Sequence, residues 1–95
     1  MIEKKVRQAY EAFKPLLPEE WKTAVVEISR TNKQDLICLY VEYPDGVYTD
    51  KYGHIVKPGV FDTYKKISHI LHGESFSECV IRVDNDENIV AEFKL

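Results

Sequence analysis

Glycine is scarce in this chain, with four scattered copies in 95 residues. No glycine-rich loop is therefore present whose backbone N–H groups could cradle a phosphate. Basic charge is also short, since 13 lysines and arginines face 16 acids, for a net charge of −3 and a pI near 5.6. A nucleic-acid partner demands a basic patch, and none is expected here. The densest basic run, Lys4–Arg7, lies beside Glu3 and Glu11 and reads as the solvated side of a helix. Long apolar runs are missing too. Nothing approaches the roughly 18 residues that would span a bilayer, so no membrane partner is expected. The stretch MIEKKVRQAY has basic residues with no apolar run behind them, which predicts no signal peptide and a cytoplasmic location. Only two cysteines occur, Cys38 and Cys79, both inside apolar strand-like runs. In a cytosolic chain they are expected to stay reduced, and a bond between them would need adjacent, facing strands.

What remains is 44% hydrophobic and 31% charged, the composition of an ordinary globule of one domain, residues 1–95. Ile2, Val6, Ala9, Tyr10 and Phe13 recur at i, i+4, i+7, i+8 and i+11, which predicts an amphipathic helix over residues 2–14, ended by Pro15. Residues 21–30 alternate, with Ala24, Val26 and Ile28 on one side and Val25 and Glu27 on the other. The polar cluster Thr31–Asp35 then turns the chain into a second strand, residues 36–43, and so short a connection makes an antiparallel hairpin. Pro44-Asp45-Gly46 is a turn signal, and residues 47–52 and 54–56 read as a third, irregular strand broken at Gly53. Pro58 suits the start of a second helix with Val60, Tyr64, Ile67 and Leu71 on one face, stopping near Gly73. Residues 76–83 and 89–95 form the closing pair of strands. The order αββ(β)αββ predicts an α+β fold, an antiparallel sheet of four to five strands with two helices.

Catalytic patterns are thin. His69 and His72 stand i, i+3 on the second helix, a spacing that places two imidazoles on one metal, yet no third ligand accompanies them and the His-Glu-x-x-His pattern is absent. Projected at 100° per residue, His69 lies opposite the apolar stripe, beside Asp62 and Lys66. His54 follows Gly53 near Asp50, where a general base is conceivable, but no serine or cysteine nucleophile adjoins it. Asp84, Asp86 and Glu87 crowd one turn without the glycine and distant bidentate glutamate of an EF-hand. No cofactor and no enzyme activity are expected. The alternatives are a small histidine- or metal-dependent hydrolase using His54, His69 and His72, and an oligomeric scaffold pairing through its closing strand.

The densest unusual feature is aromatic and acidic. Tyr40, Tyr43, Tyr48 and Tyr52, four of six tyrosines, fall within thirteen residues, interleaved with Glu42, Asp45 and Asp50. Tyrosine supplies stiff contact area with a polar tip and is enriched where one protein grips another. In a strand it equally serves as core with a wet hydroxyl, which is the competing reading for Tyr40 and Tyr43. The predicted grip is Tyr43, Asp45, Tyr48, Asp50 and Tyr52, with Glu42 on its rim, against a basic protein partner.

Leu17-Pro18-Glu19-Glu20-Trp21 and the strand Tyr40-Val41-Glu42-Tyr43, set among a leading helix, a tyrosine-bearing hairpin, a second helix and a closing hairpin, resemble the YezG-like antitoxin and immunity proteins. Three features depart from that pattern, the first being a chain shorter than its members usually have. Phe76 stands where a second tryptophan is usual, and Asn85-Asp86-Glu87-Asn88 replaces a glycine-centred turn. A related possibility is therefore a small immunity family of similar architecture, of the kind paired with contact-dependent growth-inhibition toxins. Either resemblance implies a protein that neutralises a cognate toxin domain, often a nuclease, and supplies no catalytic residues.

Overall fold

The computed structural model describes residues 2–32, 34–44 and 58–95. Helix α1 spans Ile2–Phe13 and buries Val6, Ala9, Tyr10 and Phe13, the stripe set by its 3.6-residue period. Pro15 does not open a coil at once. It sits in a short 3-10 turn, Lys14–Leu16, whose geometry tolerates proline at its start and drops Leu16 into the core. Strands β1 (Thr23–Arg30) and β2 (Asp35–Glu42) follow, then helix α2 (Val60–Ile70), β3 (Glu78–Asp84) and β4 (Ile89–Lys94). The irregular strand expected over residues 47–56 lies outside the described residues.

All strand pairs are antiparallel, in the order β2-β1-β3-β4. The two hairpins are thus joined through β1 and β3, with Val26 opposite both Leu39 and Ile81. Both helices cover the same face. Ala24, Val26 and Ile28 of β1, Leu39 and Val41 of β2, and Cys79, Ile81 and Val83 of β3 point into one core with α1 and α2. The structure therefore has the α+β architecture and element order expected, with four antiparallel strands and two helices among the described residues.

Gly59 takes φ +87° directly before α2, a conformation glycine reaches without steric cost. Trp21 lies just ahead of β1, half-buried against the core. The two cysteines sit on strands separated by β1. Cys79 faces the helices, opposite Ile28, while Cys38 is opposite Glu27 on the other face. The two remain thiols.

Candidate functional site

The face of the sheet turned away from the helices carries Val25, Glu27 and Ser29 of β1, the alternates of its core residues. Register places Leu36, Cys38, Tyr40 and Glu42 of β2 beside them, and Glu78, Val80, Arg82 and Asp84 of β3 on the other flank. Beyond these come Val90, Glu92 and Lys94 of β4. Among the strand residues of this face, five acids (Glu27, Glu42, Glu78, Asp84, Glu92) stand with two cations (Arg82, Lys94). Val25 is its best-buried member at 3% exposure, flanked by Tyr40 and Arg82 on the neighbouring strands. Leu36 and Val90 are exposed. A shallow depression of about 420 Å³ opens between the β2 and β3 flanks, lined by Glu27, Leu36, Cys38, Glu78 and Val80 among others.

Tyr40 anchors this surface. Its hydroxyl donates to Glu27 Oε2 at 2.6 Å, and burial, with the carboxylate next to it, pushes its pKa up to about 12. The hydroxyl thereby ties Tyr40 of β2 to Glu27 of β1 on the acidic face. Two exposed cross-strand pairs lie on the same face, Lys94–Glu78 at 3.5 Å and Arg82–Glu92 at 3.9 Å. Pairs this exposed contribute little to folding and leave the charges able to meet a partner.

Of the residues expected to grip a partner, Glu42 and Tyr43 are described. Glu42 lies opposite Thr23 on the outer face with Tyr40. Tyr43, one residue on, packs partly against the core from the helix side. The pleat thus sends these two neighbours in different directions. Asp45, Tyr48, Asp50 and Tyr52 lie outside the described residues, as does His54.

Two polar networks were not legible as sites. The first is a clasp. Arg30 Nε and Nη2 donate to the two oxygens of Asp35, at 2.7 and 3.0 Å, and Ser68 of α2 donates to the same carboxylate at 2.7 Å. Arg30 also donates to the backbone oxygens of Leu71 and Glu74, satisfying carbonyls past the end of α2, and lies 4.0 Å from the centre of the Phe76 ring. The Arg30 guanidinium, with help from Ser68 and against the opposing effect of burial, holds the Asp35 carboxyl below its usual range. His72 lines the cleft beside this cluster. The nearness of Ser68, His72 and Asp35 does not make a nucleophile site. Asp35 is committed to Arg30 and Ser68, and the Ser68 hydroxyl donates to a carboxylate instead of an imidazole. A cue did exist, because opposite charges at the two mouths of a short hairpin loop fall directly across from one another.

The second network ties α1 to the β3–β4 turn. Tyr10 and Lys14 both donate to Glu87 Oε2, at 2.8 and 3.0 Å. Asp84 accepts from the N–H groups of Asp86 and Asn88 and from the Asn88 side chain, so the acidic turn is occupied by its own capping. His69 and His72 are exposed on and just after α2, and no cluster of three or more metal-ligating side chains occurs among the described residues. No helix among them is long and apolar enough to cross a membrane. No protein-family model matches this chain, and no curated protein matches it.

Proposed function

We propose that this chain is an immunity protein that binds and neutralises a cognate toxin domain with a basic surface, a nuclease being the best fit, in the cytoplasm of the cell that makes it. The observation that carries this reading is the sheet face turned away from the helices, where an acidic excess surrounds a tyrosine fixed by Glu27. Strand β2 brings Tyr40 and Glu42 onto that face, and in sequence they are followed closely by Asp45, Tyr48, Asp50 and Tyr52. A nuclease binds its substrate in a positive cleft, and a carboxylate-rich, tyrosine-bearing surface matches that cleft in charge and in contact chemistry. Complementary fields also speed encounter, which suits a protein that must capture a toxin before it acts. The resemblance carried by LPEEW and YVEY supports the same reading.

The test is co-expression of this chain with the product of the adjacent reading frame, followed by purification through a tag on the neighbour. A stoichiometric complex, with growth restored to cells that the neighbour alone arrests, is the expected result. A neighbour that is harmless when expressed alone, or that leaves this chain behind on the column, would sink the reading.

A further inference from the structure

We propose that the outer edge of β4 pairs with the same strand of a second copy of this chain, about a two-fold axis normal to the sheet at Phe93. This pairing is independent of the toxin reading. Strand β4 ends the sheet, and no described strand lies beyond it. Natural edges are normally blunted by proline, by a bulge, by shortness, by charged side chains, or by a group that takes up the outward N–H donors. At the opposite edge such a device is present, since the Leu39 N–H of β2 donates to the Tyr64 hydroxyl at 3.1 Å. Strand β4 has no proline or glycine, and its register with β3 runs unbroken from Val83–Ile89 to Glu78–Lys94.

Its charges select the partner and the register. In an isologous antiparallel pair each residue meets its own counterpart across the axis. An axis at Glu92 or at Lys94 sets like charges face to face, and one at Val90 or Ala91 leaves both charges without an opposite on the facing strand. An axis at Phe93 places Glu92 opposite Lys94 of the second copy, twice. Because Lys94 already lies across from Glu78 within the chain, the result is a row of alternating sign, Glu78, Lys94, then Glu92 of the second copy. Directly opposed unlike charges stabilise a sheet and like charges destabilise it. On the helix side the same register sets Phe93 against Phe93, extending the edge-to-face contact that Phe93 makes with Phe76 at 5.5 Å. It also brings Leu95 of the second copy, 94% exposed in this chain, opposite Ala91. There a groove of about 500 Å³ runs between α1 and β4, with Ile2, Val6, Ile89, Ala91 and Phe93 in its wall. Both helix layers fall on one side, so the two outer faces become a single surface.

Sedimentation velocity over a concentration series tests this. Wild type should show a reversible monomer–dimer equilibrium. Glu92→Lys and Lys94→Glu should each weaken it about tenfold or more, since each turns two attractive pairs into repulsive ones. A one-to-one mixture of the two variants should recover the dimer, because one pair is then native and the other is reversed at both ends. Thermal melts establish that both variants fold. Should either not fold, amide exchange on wild type still decides, as β4 amides should slow with rising concentration. A wild type that stays monomeric, variants that dimerise like wild type, a mixture that stays monomeric, or β4 exchange indifferent to concentration would each overturn the proposal.

Discussion

Arg30 does several jobs with one guanidinium. It neutralises Asp35, accounts for two carbonyls past the end of α2 and stacks on Phe76. Its side chain is 19% exposed and that of Asp35 only 6%, so removal of one partner leaves a charge largely cut off from water. Asp35→Ala should destabilise the domain by about 3 kcal/mol in chemical denaturation. Arg30→Lys should also destabilise, because an ammonium cannot reproduce the fork that spans both carboxylate oxygens. The same carboxylate shapes the acid limb of stability. Asp35, Asp84 and Glu87 all titrate below their ordinary values of 3.8, 3.8 and 4.5, chiefly through side-chain hydrogen bonds from Arg30, Asn88 and Lys14 respectively. The unfolded chain therefore takes up protons before the folded one does. Their contribution is complete above about pH 4.5 and drains away as pH falls through the folded-state values. Urea midpoints should accordingly be flat near neutrality and fall below pH 4.5. An alkaline limb should mirror this, since Tyr10 and Tyr40 are raised to about 12 and favour the fold until pH passes 10. The thiols should also differ. Burial pushes Cys79 up to about 11 and leaves it with no exposed surface, while Cys38 is half-buried on the face turned away from the helices. Native alkylation should mark Cys38 and spare Cys79 until the protein is denatured.

Among the elements, the β3–β4 turn is the most constrained. Glu87 sits at φ +65°, where a side chain is strained. A glycine would relieve that strain and would also lose the carboxylate that receives Tyr10 and Lys14. Glu87→Ala loses the contacts and keeps the strain, so it should melt below Glu87→Gly, with both below wild type. Equal melting of the two variants would mean that the backbone stores no strain there. The junction ahead of β1 is less critical. Trp21 is only half-buried, so Trp21→Ala should cost about 2 kcal/mol, below the range for a fully enclosed ring. These elements also mark how far the sequence could be read. Among the described residues, helix and strand limits were legible to within two or three residues, because Val6, Ala9, Tyr10 and Phe13, and Ala24, Val26 and Ile28, carry clean periods that burial enforces, while α2 ends at Ile70, three residues short of Gly73. The strand order was not, since hairpin signals are local while the pairing of β1 with β3 depends on residues some fifty positions apart. Glu87 gave no sign at all, because its two donors come from α1 and the 3-10 turn that follows it, and no spacing rule connects them.

At the scale of the whole molecule, one side of the sheet packs into the core with both helices and the other, among the described residues, carries an acidic excess. The aromatic and acidic character of that second side is partly visible in the sequence. Glu42 and Tyr43 adjoin there as one patch, yet the pleat separates them, and it is Tyr40, equally readable as core, that joins Glu42 on the outer face. On the proposed reading, Tyr48→Ala or Asp50→Ala should weaken partner binding by about 2 kcal/mol, roughly thirtyfold, without unfolding the domain. The direct test of a charge-matched protein partner is the rate of association with the purified product of the adjacent reading frame, measured at low and high salt. The variants are Glu42→Lys with Asp45→Lys and Asp50→Lys, compared with Lys65→Glu and Lys66→Glu on the exposed side of α2. If acidic side chains steer a basic toxin onto this surface, the first set slows association most at low ionic strength, where the attraction is least screened, and the helix set changes it little. Unchanged association for the first set, with loss of binding in the helix set, would contradict an acidic grip.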